Sequence, residues 1–200
     1  MIRNAPLQLT GRRVMLRALV TDDFEQWREV RRRCADWLLK WEPARIEGYP
    51  DPVEDRRTFA ARCGARERER QMGTGYGFGI FVGDRFRGEM NLSGIQRGPF
   101  QNGFVGYWID EALAGRSITP EAAAVLIRFG FEEVGLHRIQ VSIIPRNGPS
   151  RRVAAKLGLR EEGIAERFLE INGTWEDHVS YAITVEEWEL RHDAYLHEWF

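Results

Sequence analysis

Phe104-Val-Gly-Tyr-Trp-Ile-Asp110 is followed by Glu111-Ala-Leu-Ala-Gly-Arg-Ser-Ile-Thr-Pro-Glu121 and then by Ala122-Ala-Ala-Val-Leu-Ile-Arg-Phe-Gly-Phe131. The first piece is aromatic and β-branched, which suits a strand. The second carries a glycine, small residues and a proline, which suit a loop. In the third, Ala123, Leu126, Ile127, Gly130 and Phe131 recur at the spacing of one buried helix face. Thr119 can cap that helix, and Pro120 fits its first position. A strand that feeds a small-residue loop into a helix start gathers backbone N–H groups at one point. There the donors and the helix dipole act together, so the point suits phosphate.

Outward from this unit the chain alternates strands and helices. Leu7 to Leu19 reads as two short strands around Thr10-Gly11-Arg12. Asp22 with Glu25 resembles a capping box for a helix carrying Phe24, Trp27, Val30 and Cys34. Trp37, Leu38 and Trp41 extend an aromatic ridge that serves either as core or as the wall of a groove. A second helix is expected from Asp51-Pro52. Tyr76–Val82 and Phe86–Ile95 read as strands joined by Gly83-Asp84, the second with a polar row of Arg87, Glu89, Asn91 and Ser93. Past the central helix come a strand through Ile139, Val141 and Ile143 and a helix begun by Asn147-Gly-Pro-Ser150. A hairpin around Asn172-Gly173 follows, and then a helix capped by Thr184 and Glu187. No repeat or low-complexity segment interrupts residues 1–200, so one domain is expected, α+β with a single mixed sheet.

Composition narrows the partners. The 200 residues are 43% hydrophobic and 30% charged, with a net charge of −1. No global basic field calls for direct nucleic-acid binding. The arginine runs at Arg28–Arg33 and Arg62–Arg70 read as solvated helix faces. Two cysteines, Cys34 and Cys63, suit a reducing cytoplasm. The sequence shows no signal peptide, no membrane-spanning apolar run and no metal-ligand spacing among its histidines and cysteines. Nothing in it sets an oligomeric state.

The ordered set of motifs resembles the GCN5-related N-acetyltransferase (GNAT) superfamily, and within it the ribosomal-protein alanine N-acetyltransferase group. The pieces that carry the resemblance are Val105-Gly-Tyr-Trp-Ile109, Gly115-Arg116 through Pro120-Glu121-Ala122 and Gly135-Leu-His-Arg138. To these are added Asn147-x-x-Ser150-x-x-Val153-x-x-Lys156-Leu-Gly158 and Asp177-His178 before Tyr181. With the strands and helices around them, the resemblance runs from Leu9 to Thr184. The resemblance implies a mixed, mostly antiparallel central sheet with flanking helices, and acetyl transfer from acetyl-CoA to a primary amine without a metal. It implies that Ala114, Gly115, Arg116, Ser117, Ile118 and Thr119 cradle the pyrophosphate. Trp108 and Ile109 would offer backbone groups to the pantetheine arm. Asn147 would contact the cofactor, and Ser150 would serve as acid toward the leaving thiolate. The superfamily loop usually reads Gln/Arg-x-x-Gly-x-Gly/Ala, and this chain departs from it with Ala114, Ser117 and Thr119.

The reaction needs a neutral amine, hence a proton acceptor. Glu89 on the polar row and Glu170 beside the hairpin are the candidates, and Glu89, on a strand near the central one, is preferred. Both would otherwise be surface carboxylates. A strand amide between Tyr107 and Ile109 would donate to the developing oxyanion. The acceptor is expected to be a protein N-terminus beginning with alanine or serine, such as that of a ribosomal protein. A small-molecule amine acceptor and a catalytically degenerate binding module are the other two readings.

Overall fold

The computed structural model describes residues 7–45 and 48–200. In chain order the elements are β1 (Gln8–Thr10), β2 (Val14–Arg17), α1 (Phe24–Arg33), α2 (Ala35–Leu38), α3 (Arg56–Met72), β3 (Tyr76–Val82), β4 (Arg85–Gln96) and β5 (Asn102–Ile109). Then come α4 (Ile118–Glu132), β6 (Arg138–Ile143), α5 (Gly148–Lys156), β7 (Arg160–Ile171), β8 (Thr174–Thr184) and α6 (Val185–Trp199). The eight strands form one sheet in the order β1-β2-β3-β4-β5-β6-β8-β7. Every neighbouring pair is antiparallel except β5 and β6.

That exception shapes the molecule. The parallel pairing of β5 with β6 covers only Asn102↔Arg138, Gly103↔Ile139 and Phe104↔Gln140. Beyond Phe104 the two strands part, while β5 stays paired with β4 as far as Ile109. Alternate backbone groups of Val105–Ile109 therefore face an open wedge instead of a neighbour, although main-chain donors and acceptors need partners.

Two cores sandwich the sheet. On one face α4 lies against the strands, with Ala154 of α5 and with Trp188, Tyr195 and Trp199 of α6 in the same core. From Ile118 to Ile127 every α4 residue is buried, as expected of a helix covered on all sides. On the other face Phe24, Trp27 and Val30 of α1 pack with Phe59 of α3 and with Phe81 and Phe86 of the sheet. Tilted aromatic pairs lock this layer, Trp27 to Phe59 at 4.9 Å between centroids.

Several boundaries differ from the sequence reading. The acid that organises the start of α1 is Asp23, not Asp22. Asp23 accepts Val20 N–H at 2.8 Å and a two-pronged contact from Arg17, at 2.7 and 2.8 Å. α3 begins at Arg56 with Asp55 as its cap, accepting from Arg57 and Thr58 N–H. Asp51 instead closes a turn through Val53 N–H at 2.9 Å. α4 begins at Ile118, so Thr119 and Pro120 lie inside its first turn and Ser117 holds the capping position. The Thr184–Glu187 box forms as expected, with Thr184 N–H on Glu187 Oε2 at 2.9 Å.

Candidate active site

The wedge between β5 and β6 opens into a cleft of about 610 Å³. Trp108, Ile109, Ala114, Gly115, Thr119, Asn147 and Ser150, all expected at the site, line it together with Glu89. Arg116, Ser117 and Ile118 complete the loop between β5 and α4 but do not line the cleft.

The loop is built to present donors. Asp110, fully buried at the end of β5, fixes its start. It accepts from Arg33 Nη2 at 2.7 Å, from Arg87 Nη1 at 3.1 Å and from Ala112 N–H at 3.1 Å. Gly115 has φ +77°, and a Cβ there would meet nothing within 4 Å, so the chain passes close to open space. Ser117, also left-handed at φ +59°, turns the chain into α4. Arg13 then takes the carbonyls of Arg116 and Ser117 at 3.1 and 3.2 Å. In a planar trans peptide the N–H points opposite the carbonyl, so the Ser117 and Ile118 N–H groups are directed away from Arg13. The first main-chain bond of α4 runs from Glu121 N–H to Ser117, leaving the preceding N–H groups as orphan donors. Lys156 adds its ammonium at 2.7 Å from Ser117 Oγ, and the Arg116 side chain is exposed beside it.

Glu121 anchors this apparatus from below. With 1% exposure it accepts from the Arg13 and Val14 N–H groups and from Arg13 Nε at 2.7 Å. The sequence reading includes Glu121 in the Pro120-Glu121-Ala122 piece but gives it no role.

On the other wall of the wedge Asn147 caps α5, its Oδ1 accepting Ser150 N–H at 3.2 Å. Its Nδ2 makes no hydrogen bond among the described residues. Capping and ligand contact are thus compatible, since they use different ends of one amide. The Ser150 hydroxyl lies 2.8 Å from that of Tyr107 across the wedge. Burial pushes the Tyr107 hydroxyl up to about 12, against the opposing effect of the Ser150 hydrogen bond. The Tyr107 hydroxyl is therefore protonated throughout the neutral range and holds a proton within reach of Ser150. The sequence reading gave this strand a backbone role only, so the Tyr107 hydroxyl was missed.

Glu89 is not a surface carboxylate. It is 2% exposed, and its Oε1 accepts from Trp27 Nε1 at 2.5 Å while Arg62 binds Oε2. Arg31, Arg62 and Arg66 likewise face the cleft and are not solvated helix charges. Glu170 is exposed near the hairpin tip and contributes nothing to the cleft.

Trp37 and Trp41 are half-buried wall residues of the cleft, and Trp37 also packs against the core beneath α1. Lys40 stands 5.3 and 5.4 Å from their ring centroids, and Arg146 lies 5.4 Å from Trp41. The β7–β8 hairpin supplies no lining residue, but its tip reaches this wall. Asn172 N–H donates to the Glu42 carbonyl at 3.0 Å, and Arg146 pairs with Glu176 at 2.7 Å. Glu42 is itself gripped by Arg31 at 2.5 and 2.7 Å.

Comparison with known proteins agrees with this geometry. An acetyltransferase (GNAT) domain model matches residues 13–160. This chain belongs to the GNAT acetyltransferase family. It is 34% identical over 177 residues to the probable N-acetyltransferase YjcK of Bacillus subtilis (strain 168), covering 88% of this chain and 96% of that protein. It is 32% identical over 190 residues to the ribosomal protein uS5-alanine N-acetyltransferase of Escherichia coli (strain K12), covering 92% and 95%. The structure of Mycobacterium smegmatis RimJ in complex with CoA-disulfide superposes with a TM-score of 0.84 at 31% identity, covering 91% of this chain and 89% of that one. Our GNAT chain is an acetyl-CoA-dependent N-acetyltransferase with a mostly antiparallel sheet flanked by helices.

Its residues fit the acyl donor. The unpaired edge of β5 matches an extended amide-bearing arm. The directed N–H groups at the start of α4, with Arg116 and Lys156, match a pyrophosphate. Ala114, Ser117 and Thr119 depart from the family loop without removing a main-chain donor. Among the described residues no cluster of His, Cys, Asp or Glu could hold a metal, and no helix is long and apolar enough to cross a membrane.

Proposed function

We propose that this acetyltransferase modifies the N-terminal amine of a protein that begins with alanine or serine, a ribosomal protein being the foremost case. The observation that carries the reading is the charge of the cleft. Arg31, Arg45, Arg62 and Arg66 outnumber Glu42, Asp51 and Glu89, so the lining carries no negative excess for a polyamine or aminoglycoside. Across from the edge of β5, Trp37, Trp41, Pro43 and Val53 offer an apolar wall for a short peptide segment. The relative whose name specifies uS5-alanine aligns over nearly its whole length, which supports the same acceptor class.

In the mechanism we assign, bound acetyl-CoA supplies an acetyl group activated as a thioester. Glu89 attracts the incoming ammonium and takes its proton through water, using the lone pairs that Trp27 and Arg62 leave free. A β5 amide at Trp108 or Ile109 faces the carbonyl oxygen as charge develops there. Ser150 delivers a proton to the leaving sulfur and is resupplied by Tyr107, which regains through water the second proton that the nitrogen sheds as the C–N bond forms and the C–S bond breaks. Asn147 Nδ2 and the Gly115–Thr119 loop bind the donor.

A panel of peptides differing only in the first residue, with spermidine and an aminoglycoside alongside, tests the reading. Ala- and Ser-initiated peptides are expected to show the highest kcat/KM. Faster turnover of either small amine than of every peptide would overturn it.

A further inference from the structure

Asn91 is a polar side chain in the middle of the molecule that makes no hydrogen bond among the described residues, and its Oδ1 is shut away from water without a partner. It lies on β4 two residues from Glu89, on the same face of the strand. It lines the donor cleft and also a second cleft, of about 1030 Å³, between α3, β3 and the Arg17–Thr21 segment. The two clefts share only Arg62, Arg66, Glu89 and Asn91.

Asn91 has glycine on both neighbouring strands, with the Arg66 stem lying over the β3 side and open space on the β5 side. Its register partners are Gly77 on β3 and Gly106 on β5. A Cβ at Gly77 would come within 3.1 Å of Asn91 Oδ1, whereas one at Gly106 would meet nothing within 4 Å. Asparagine is a poor strand residue, and an unpaired buried carbonyl costs stability. Folding alone therefore gives no reason for an amide here. Its terminal torsion is soft, so either end of the amide can turn toward the cleft.

We propose that Asn91 holds the acceptor amine, its side-chain carbonyl accepting one N–H where the two clefts meet. The inference rests on the acetyl-transfer reading given above. The division of labour with Glu89 follows from charge. A carboxylate draws the ammonium and favours its charged form, whereas a neutral carbonyl orients the amine after one proton has left without favouring recapture of that proton. With one N–H held by Asn91, the nitrogen lone pair is free to face the acetyl carbon. The open space over Gly106 lets the amine approach the main chain of β5 closely.

The test is steady-state acetylation of an Ala-initiated peptide, with spermidine as a second acceptor, by the full chain and two variants. Asn91→Leu keeps the size and removes the carbonyl, and Asn91→Asp keeps an oxygen in place. Calorimetry gives the acetyl-CoA Kd for each. Asn91→Leu is expected to raise the acceptor KM about tenfold, the effect of one lost hydrogen bond. Its acetyl-CoA Kd should stay within about twofold of wild type and its melting temperature should not fall, because an unpaired amide has been removed. Asn91→Asp is expected to keep the acceptor KM within about threefold. An unchanged acceptor KM in an active Asn91→Leu enzyme overturns the inference and leaves the functional reading intact. A parallel rise in the acetyl-CoA Kd overturns it as well, placing Asn91 on the donor side. Should Asn91→Leu fail to fold, Gly77→Ala, which crowds the same carbonyl, decides by the same KM readout. Wild-type protein that binds acetyl-CoA but acetylates neither acceptor overturns the functional reading, and this inference with it.

Discussion

At the scale of single residues the site is a set of side chains whose neighbours decide their protonation. Ser150 and Tyr107 share one hydrogen bond of 2.8 Å. We expect Ser150→Ala and Tyr107→Phe each to lower kcat by about a hundredfold, the usual yield of a general acid, with little change in the acetyl-CoA Kd. Stopped assays for kcat and calorimetry for Kd separate the two quantities. Loss of Kd in proportion to kcat would show a binding role instead. Because Tyr107 is pushed up to about 12, its ionisation adds no limb to the pH–rate profile until the pH approaches that value. Any break near neutrality therefore belongs to a group other than Tyr107.

At the scale of elements the strand–loop–helix unit from Phe104 to Phe131 decides the fold, and its stability depends on Glu121. Glu121→Ala would leave the Arg13 and Val14 N–H groups unpaired and release Arg13 from the loop carbonyls. We expect a loss of about 3 kcal/mol in urea denaturation, with a weaker acetyl-CoA Kd in the same variant. A change below about 0.5 kcal/mol, typical of surface sites, would contradict the anchor role. The unit was legible because strand, loop and helix each carry a local pattern. Its anchor was not, because Glu121 in the first turn of a helix reads as a carboxylate placed for the dipole, and its partners are 108 and 107 residues away. The same distance hides the Tyr107–Ser150 pair, and the partners that bury Glu89 lie at Trp27 and Arg62. Helix starts slipped wherever two caps competed, as at Asp51 against Asp55 and at Thr119 against Ser117. A local rule ranks such candidates by type, whereas packing selects the one whose register suits the core.

At the scale of the whole molecule, stability should be lost on the alkaline side through two tyrosines. Burial pushes Tyr107 and Tyr195 each up to about 12 from an ordinary value of 10, Arg191 opposing the shift at Tyr195. In the unfolded chain both ionise at the ordinary value, so the unfolded state binds fewer protons between pH 10 and 12 and stability falls across that window. Below pH 10 neither tyrosine changes stability with pH. Thermal melts at stepped pH should show the decline steepening above 10, and Tyr195→Phe should flatten it. A melting temperature that is level from pH 10 to 12 would contradict the assignment.

The Asn172–Glu42 contact ties the tip of the β7–β8 hairpin to the wall of the cleft that carries Trp37 and Trp41. For the protein N-terminus proposed above, the leading residues have to be free of other structure to reach the cleft beside that wall. Mass spectrometry of an acceptor protein treated before and after its N-terminus is sequestered in its own assembly should find acetyl only on the first residue, and only in the earlier sample.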